Sequence, residues 1–451
     1  MALCISCYVS TATHLMGGQM TSLNIGGLTY QVTLTVYRDT MGVPMYPFAN
    51  ITYGDTSGVL AVHSVAASAP TNYGNGVEMY TYVDTITFPG TGEYTMWWED
   101  CCRNCALLNM TQPCGEYFHL YNVLSVDSTN SSPEFLNPPI PIAQQGVAFN
   151  YNPLPFDIDG DSIAWELDIP LSTNGVNVIG YTLPPSDTAI PFTMNQVTGE
   201  ITFLPITLGH FEVSVKVSEF RAGVKIGEIR RDMQIIVVPS LNKPCNITSS
   251  SNTFPFSGKT FDLNPNAAFS VTVSATEIDN NPVNISASGE PFILASNPAS
   301  ANITNGTGQA SATVTWTPDA SQARQNPYVF ALRTSEIFGG YTFSNDITFS
   351  LRVGNGTTGI TETTATDAFV SLYPNPNDGN CFVEVNAAAK GKINVTVTNV
   401  IGQQVKKLAD MEVNTGKNLI YLNNLNLRAG HYFITIENNG MLLGTQKMEV
   451  K

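Results

Sequence analysis

The sequence predicts an all-β chain of tandem sandwich domains, and three observations predict it. Short runs rich in Val, Ile, Thr, Tyr and Phe alternate with Gly, Pro, Asn and Ser clusters along the chain. No window holds an apolar period of 3.6 residues, the mark of an amphipathic helix. The length, 451 residues, corresponds to about three to four domains at roughly 150 residues each.

Composition narrows the function. Charged residues make up 12% of the chain against 43% hydrophobic ones, so a low charge goes with ample material for cores and not with disorder. Twenty Lys and Arg against 36 Asp and Glu leave a net charge of −16, which repels phosphate backbones and anionic headgroups. A nucleic-acid partner is therefore not expected. Every apolar run is broken by Gly, Pro, Asn or Thr well short of the roughly 18 residues a transmembrane helix needs.

The opening MALCISCYVSTAT is apolar and small and ends in residues a signal peptidase accepts. Residues 1–12 read as the remnant of a signal peptide, which removes Cys4 and Cys7 and places the mature chain where disulfides persist. A β domain follows over 13–131, with YQVTLTVYRDTMG, GEYTMWWEDCCRNC and YFHLYNVLSV as its strand material.

Residues 132–245 and 246–354 form an internal repeat. The first contains FDIDGDSIAWEL, ITFLP, HFEVSVKVSEFRAG and DMQIIVV; the second contains ATEIDNNPVNIS, VTWTPDAS, YVFALRTSEIFGG and DITFSLRV in the same order. Asp159 and Glu219 are 60 positions apart and Asp279 and Glu336 57 apart, so the spacing is kept to within a loop. Phe211, Val213, Val215 and Val217 alternate with Glu212, Ser214, Lys216 and Ser218, a strand that should pair with Arg230 to Val238 across Ala222-Gly223. Units of about 110 residues with roughly seven short strands have the dimensions of an immunoglobulin-like or cadherin-like sandwich.

A Gly/Thr-rich linker at 355–367 leads to a small β-sandwich domain at 368–451. Its motifs are the YPNP opening (Tyr373, Pro374, Asn375, Pro376), a VIGQ segment with Gly402, Gly430 and Tyr432 in L-x-x-G-x-Y, and the basic residues Lys447 and Lys451. Their order and wording resemble the type A C-terminal sorting domain of the type IX secretion system of Bacteroidota. The resemblance implies export across the outer membrane by that machinery, with the cargo released or held at the surface. Repeat 132–245 also resembles the Ig/cadherin-like domains of bacterial surface proteins, through DIDGD, VTGEITFLPITLG and VSVKVSE. Together with 13–131 it looks like the N-terminal region of large Bacteroidota surface proteins.

Candidate chemistry is sparse. Asp157, Asp159 and Asp161 set three carboxylates within five residues around Gly160. Calcium takes six to eight oxygens, so further ligands are needed, and the cadherin-like resemblance points to Glu134 and Glu219. The competing reading is a solvated acidic hairpin tip. In the second repeat Glu277, Asp279, Asn281 and Glu336 hold the same places with less charge, for a weaker calcium site. Cys101, Cys102, Cys105 and Cys114 read as disulfides, either 101–105 with 102–114 or 101–114 with 102–105, leaving Cys245 and Cys381 over. The pair Trp97 and Trp98 offers a sugar platform or core packing, and Trp165 and Trp316 read as inter-sheet core. Scattered histidines and the lack of a nucleophile elbow or Walker loop give no enzyme signature.

These readings converge on a secreted or cell-surface adhesin or binding protein, not an enzyme, stiffened by calcium, with a surface glycan or protein as ligand. The alternatives are a self-associating structural subunit of an extracellular filament or matrix, and a secreted hydrolase with its active site in the N-terminal domain.

Overall fold

A computed structural model describes residues 15–127, 130–239, 242–251, 260–354 and, within 370–451, all except 374, 376, 378, 388–389, 400–402, 424 and 439–440. The segments expected as signal-peptide remnant and linker, and the sorting-motif residues Pro374, Pro376 and Gly402, lie outside the described residues. Two compact units span 1–356 and 357–451. Among the described residues, the α-helical content is a single four-residue turn at Glu290–Ile293. No described helix is long and apolar enough to cross a membrane.

The first eight strands are β1 (Leu15–Gly26), β2 (Thr29–Asp39), β3 (Phe48–Asp55), β4 (Gly58–Ala66), β5 (Thr71–Gly74), β6 (Val77–Thr87), β7 (Gly92–Cys101) and β8 (Tyr117–Val126). The next are β9 (Glu134–Phe135), β10 (Ile142–Gln144), β11 (Phe149–Tyr151), β12 (Pro155–Phe156) and β13 (Ser162–Asp168). Then come β14 (Thr193–Met194), β15 (Ile201–Phe203), β16 (Gly209–Arg221) and β17 (Val224–Val238).

Strand alternation packs the first domain. Inward Tyr30, Val32, Leu34 and Val36 of β2 meet Ile51 and Tyr53 of β3, Met96 and Trp98 of β7, and Phe118 and Leu120 of β8. One sheet supplies both layers, in the order β4-β3-β7-β8-β17-β1-β2-β6-β5. Its seam is β17. One edge of this strand pairs with β16, while the other takes β8 at Gly227–Ile229, β1 at Arg231–Asp232 and β10 at Ile236–Val238. The boundary expected at 131/132 is thus no break in the structure, because the last strand of the first repeat closes the sheet of the domain before it.

The β16–β17 hairpin forms as the alternation requires, turning at Ala222 and Gly223 with φ of 51° and 80°. Phe211, Val213, Val215 and Val217 pack with Trp165 and with Ile201 and Phe203 of the facing sheet β11-β15-β14. The polar face of β16 is buried as well. Glu212 and Ser214 are both fully covered, because Arg103 from the cysteine-bearing loop inserts over them and bonds Glu212 at 2.9 Å and Asp232 at 2.7 Å.

The second repeat carries β18 (Asn246–Ser249), β19 (Thr260–Leu263), β20 (Phe269–Thr276), β21 (Pro282–Gly289), β22 (Ser300–Thr304), β23 (Gly306–Thr307), β24 (Gln309–Trp316), β25 (Tyr328–Phe338) and β26 (Tyr341–Val353). Sheets β18-β20-β24-β22 and β19-β26-β25-β21-β23 enclose Val273, Ala312, Trp316, Phe330 and Phe349. The two repeats share details of register. A parallel strand lies beside the last strand of each, β10 on β17 and β19 on β26. Ile163 stands opposite Glu219, and Val283 opposite Glu336.

The second unit contains β27 (Val370–Tyr373), β28 (Cys381–Ala387), β29 (Gly391–Asn399), β30 (Gln404–Val413), β31 (Gly416–Leu422), β32 (Gly430–Asn438) and β33 (Met441–Val450). Sheets β27-β28-β31 and β30-β29-β32-β33 enclose Val383, Val395, Val397, Ile434, Ile436 and Cys381.

Candidate functional site

The acidic loop between β12 and β13 is shaped by its own first residue. Asp157 Oδ1 accepts the amides of Asp159 at 3.0 Å and Asp161 at 2.9 Å, and Gly160 at φ 81° makes the turn that permits both. The fold brings one carboxylate oxygen of each of Asp157, Asp159 and Asp161 within 4.8 Å of the others.

Glu219 lies at the same end of the sandwich on β16. It is fully buried, with the Asn130 amide near enough to favour its charged form, but neither carboxylate oxygen has a donor in full hydrogen-bond geometry; Asp157 Oδ2 is likewise unpartnered. Burial pushes Glu219 up to about 9, with the charges of Asp157 and Asp161 adding to it. Asp157 is pushed up to about 7, again chiefly by burial. Buried carboxylate oxygens without donors are costly when charged unless a cation meets them.

The other loop acids are partnered. Asp159 Oδ2 accepts the Ser131 amide at 2.5 Å. Asp161 takes a two-pronged pair from Arg221, at 2.9 Å from Nε and 2.5 Å from Nη2, and Arg221 also reaches Asn130 at 2.8 Å. Glu134 faces Phe156, the residue before Asp157, across the short β9–β12 ladder, and burial raises its carboxyl. Arg221, Asn130 and Ser131 are the members that motif reading missed. Arg221 was signalled in part, since positions two apart on a strand share a face and Arg221 follows Glu219 by two.

The second repeat repeats the wiring with another charge. Glu277 Oε2 accepts the Asn281 amide at 2.7 Å, four residues on, as Asp157 does for Asp161. Asp279, however, meets the Lys243 ammonium at 3.1 Å, and Asn281 bonds Asn242 at 3.3 Å. Glu336 is buried beside the Cys245 thiol, 3.8 Å away. Among the described residues only the first repeat gathers three acidic ligand atoms.

In the cysteine loop Cys105 lies opposite Cys114 at a Cα separation of 4.5 Å, a pairing outside both expected sets, with Cys101 and Cys102 side by side. Cys245 and Cys381 are free thiols, the latter buried in its core. Trp98, Trp165 and Trp316 are core residues, whereas Trp97 is half-buried on the outer face of β7.

In the second unit, Asn375 of the opening motif clamps the final strand. Its Nδ2 donates to the Lys447 carbonyl at 2.8 Å and its Oδ1 accepts the Glu449 amide at 2.7 Å. Tyr432 donates to the Arg428 carbonyl at 2.9 Å, over Gly430 at φ 155°. Lys447 and Lys451 are exposed.

The chain is thus a modular all-β protein whose final domain is organised around its own C-terminal strand. Residues 371–451 match the secretion system C-terminal sorting domain, and that domain directs export by the type IX machinery across the outer membrane, to the cell surface or beyond. No curated protein matches the chain. Several multidomain solved structures are similar to the chain at low identity. Titin domains A168–A170 are 9% identical over 71% of this chain and 99% of that one, with a TM-score of 0.19. The N-terminal four Ig domains of Dscam1 isoform 6.44 are 8% identical over 96% and 99%, with a TM-score of 0.18. Domains 4–9 of the surface layer protein SbsC are 11% identical over 64% and 47%, with a TM-score of 0.16.

Proposed function

We propose that this exported protein is a surface adhesin or binding protein whose first sandwich repeat holds a structural calcium ion. The observation that supports it is Glu219, fully buried with neither oxygen in full hydrogen-bond geometry and set beside Asp157, whose Oδ2 is likewise unpartnered. Calcium binds through carboxylate and carbonyl oxygens in flexible geometry. Asp157, Asp159 and Glu219 supply carboxylates here, while Asp161 acts through its pair with Arg221 and orders the loop. In the second repeat the Lys243 ammonium answers Asp279, so calcium contributes less there. No residue of this site acts as a catalyst in this reading; the ion stiffens the end of the sandwich against which Ser131 and Asn130 are tied.

Thermal unfolding of the full chain in calcium and in chelator tests this. The native chain should melt higher in calcium, since a ligand bound to the folded state alone stabilises it. Asp159→Ala should lower the calcium increment without unfolding the chain in chelator, and an unchanged increment removes the proposed site.

A further inference from the structure

The outer face of β7, β8 and β17 carries a groove of about 530 Å³ that the calcium reading does not use. Trp97 and Tyr121 are direct cross-strand partners at its floor. The indole lies against the backbone of β3: a Cβ on Gly54 would stand 3.2 Å from the ring, so glycine there lets the indole settle on the sheet. The wall is the segment Leu171–Gly175. Glu99 ties wall to floor, its Oε2 meeting both His119 Nδ1 at 3.1 Å and the Asn174 amide at 2.8 Å. On the other side Tyr121 donates its hydroxyl to Glu228, with the Arg230 guanidinium 5.4 Å from the centre of the tyrosine ring.

We propose that this groove binds a neutral glycan, with one sugar ring stacked on Trp97 and a neighbouring hydroxyl donated to Glu228. The proposal rests on the reading of the chain as a surface binding protein and names the ligand class. Three features fit that chemistry. Stacking on an indole and a phenol suits the apolar C–H face of a pyranose, and an aromatic body with a polar rim is how a water-exposed site recognises a polyol. A carboxylate accepts about four hydrogen bonds, so Glu228, which already takes the Tyr121 and Ser218 hydroxyls and the Lys225 ammonium, keeps an acceptor position for a sugar hydroxyl. Glu228 is paired with Lys225 and Arg230 with Asp168, so the charges around the groove are largely cancelled within the protein, which fits an uncharged ligand better than a uronate, sulfate or phosphate. The groove is also ordered in advance by the Glu99 and Glu228 hydrogen bonds, which limits the entropy lost on binding.

The test is native affinity electrophoresis of the full chain through gels containing laminarin, hydroxyethylcellulose, galactomannan or arabinoxylan, with polygalacturonate as the acidic comparison. At least one neutral polysaccharide should retard the native chain. Trp97→Ala should weaken that retardation about tenfold, a change of roughly 1.4 kcal/mol. Trp97→Phe, which keeps a ring, should retain most of it. Tyr121→Phe guards against a folding artefact, since it keeps the floor and releases only the hydroxyl. Because Trp98, Trp165 and Trp316 are 2–3% exposed, intrinsic fluorescence should report the ligand through Trp97. Retardation by none of the four neutral polymers, equal retardation of Trp97→Ala, or preference for polygalacturonate overturns the proposal, and so does release of reducing ends. Failure of the calcium site would show in the melting increment instead and leave this gel result unchanged.

Discussion

Gly227 lies directly across the hairpin from Glu219, and a methyl group in its place would stand 2.5 Å from Glu219 Oε2. A flexible carboxylate on the surface would swing aside. Glu219 is fully covered and has no such route, so the glycine keeps open the space into which the carboxylate projects.

Gly227→Ala should therefore act on the acidic site from a position that carries no ligand atom of its own. Overpacking of this kind costs about 1–3 kcal/mol. The expected outcome is a lower melting temperature together with a smaller calcium increment, measured beside Gly90→Ala, where a Cβ meets open space. Equal melting of the two variants would show that Glu219 has room to move.

The same carboxyls give the protein a pH dependence whose sign follows from their direction. Asp157 and Glu219 bind protons more tightly folded than unfolded, with folded values of about 7 and about 9, against roughly 4 for both in an unfolded chain. Where the folded state holds more protons, stability falls as pH rises. In chelator the melting temperature should therefore decline from about pH 4 through about pH 9, first as Asp157 and then as Glu219 is forced to ionise. Saturating calcium should flatten the slope, because the ion replaces those protons. A slope that is identical with and without calcium would place the two carboxyls outside any cation site.

Much of this was legible in the sequence, and the remainder was hidden for identifiable reasons. The alternation in Phe211 to Val217 forecast the β16–β17 hairpin because one face of a strand repeats every second residue. The DIDGD spacing forecast the gathering of Asp157, Asp159 and Asp161 because local turns depend on adjacent residues. The seam at β17 was not legible, since its pairings with β1 and β8 join residues about two hundred and one hundred positions apart. A signal was nonetheless present: Arg230, Arg231, Asp232 and Gln234 form a polar run inside one strand of the hairpin, and all four are buried. Lys243 escaped for a different reason. It precedes the second repeat in the chain and meets Asp279 only after the sandwich closes.

The buried cluster of Arg103, Glu212 and Asp232 yields the last prediction. All three side chains are fully covered, with Arg103 Nη1 2.9 Å from Glu212 and Nη2 2.7 Å from Asp232. Nη2 also donates to the Leu171 carbonyl at 2.8 Å, and the guanidinium carbon lies 4.4 Å from the centre of the Phe118 ring. Arg103 thus fixes the cysteine loop to the face of the β16–β17 hairpin. Replacing it by methionine leaves two carboxylates in a covered space without a cation. Breaking a buried ion pair from one side costs about 3–5 kcal/mol, mostly through the charge left behind. Urea unfolding followed by tryptophan fluorescence reads the larger unit alone, because Trp97, Trp98, Trp165 and Trp316 all fall within residues 1–356. Arg103→Met should lower the midpoint by an amount in that range, and adding Asp232→Asn should recover part of it by removing one stranded charge. The loss should shrink at pH 5, where Glu212, which burial raises well above the usual carboxylate range, takes up a proton in the variant at little cost. A loss below about 1 kcal/mol, the size expected of an exposed pair, would mean that water reaches the cluster and that the loop is held by its disulfide instead.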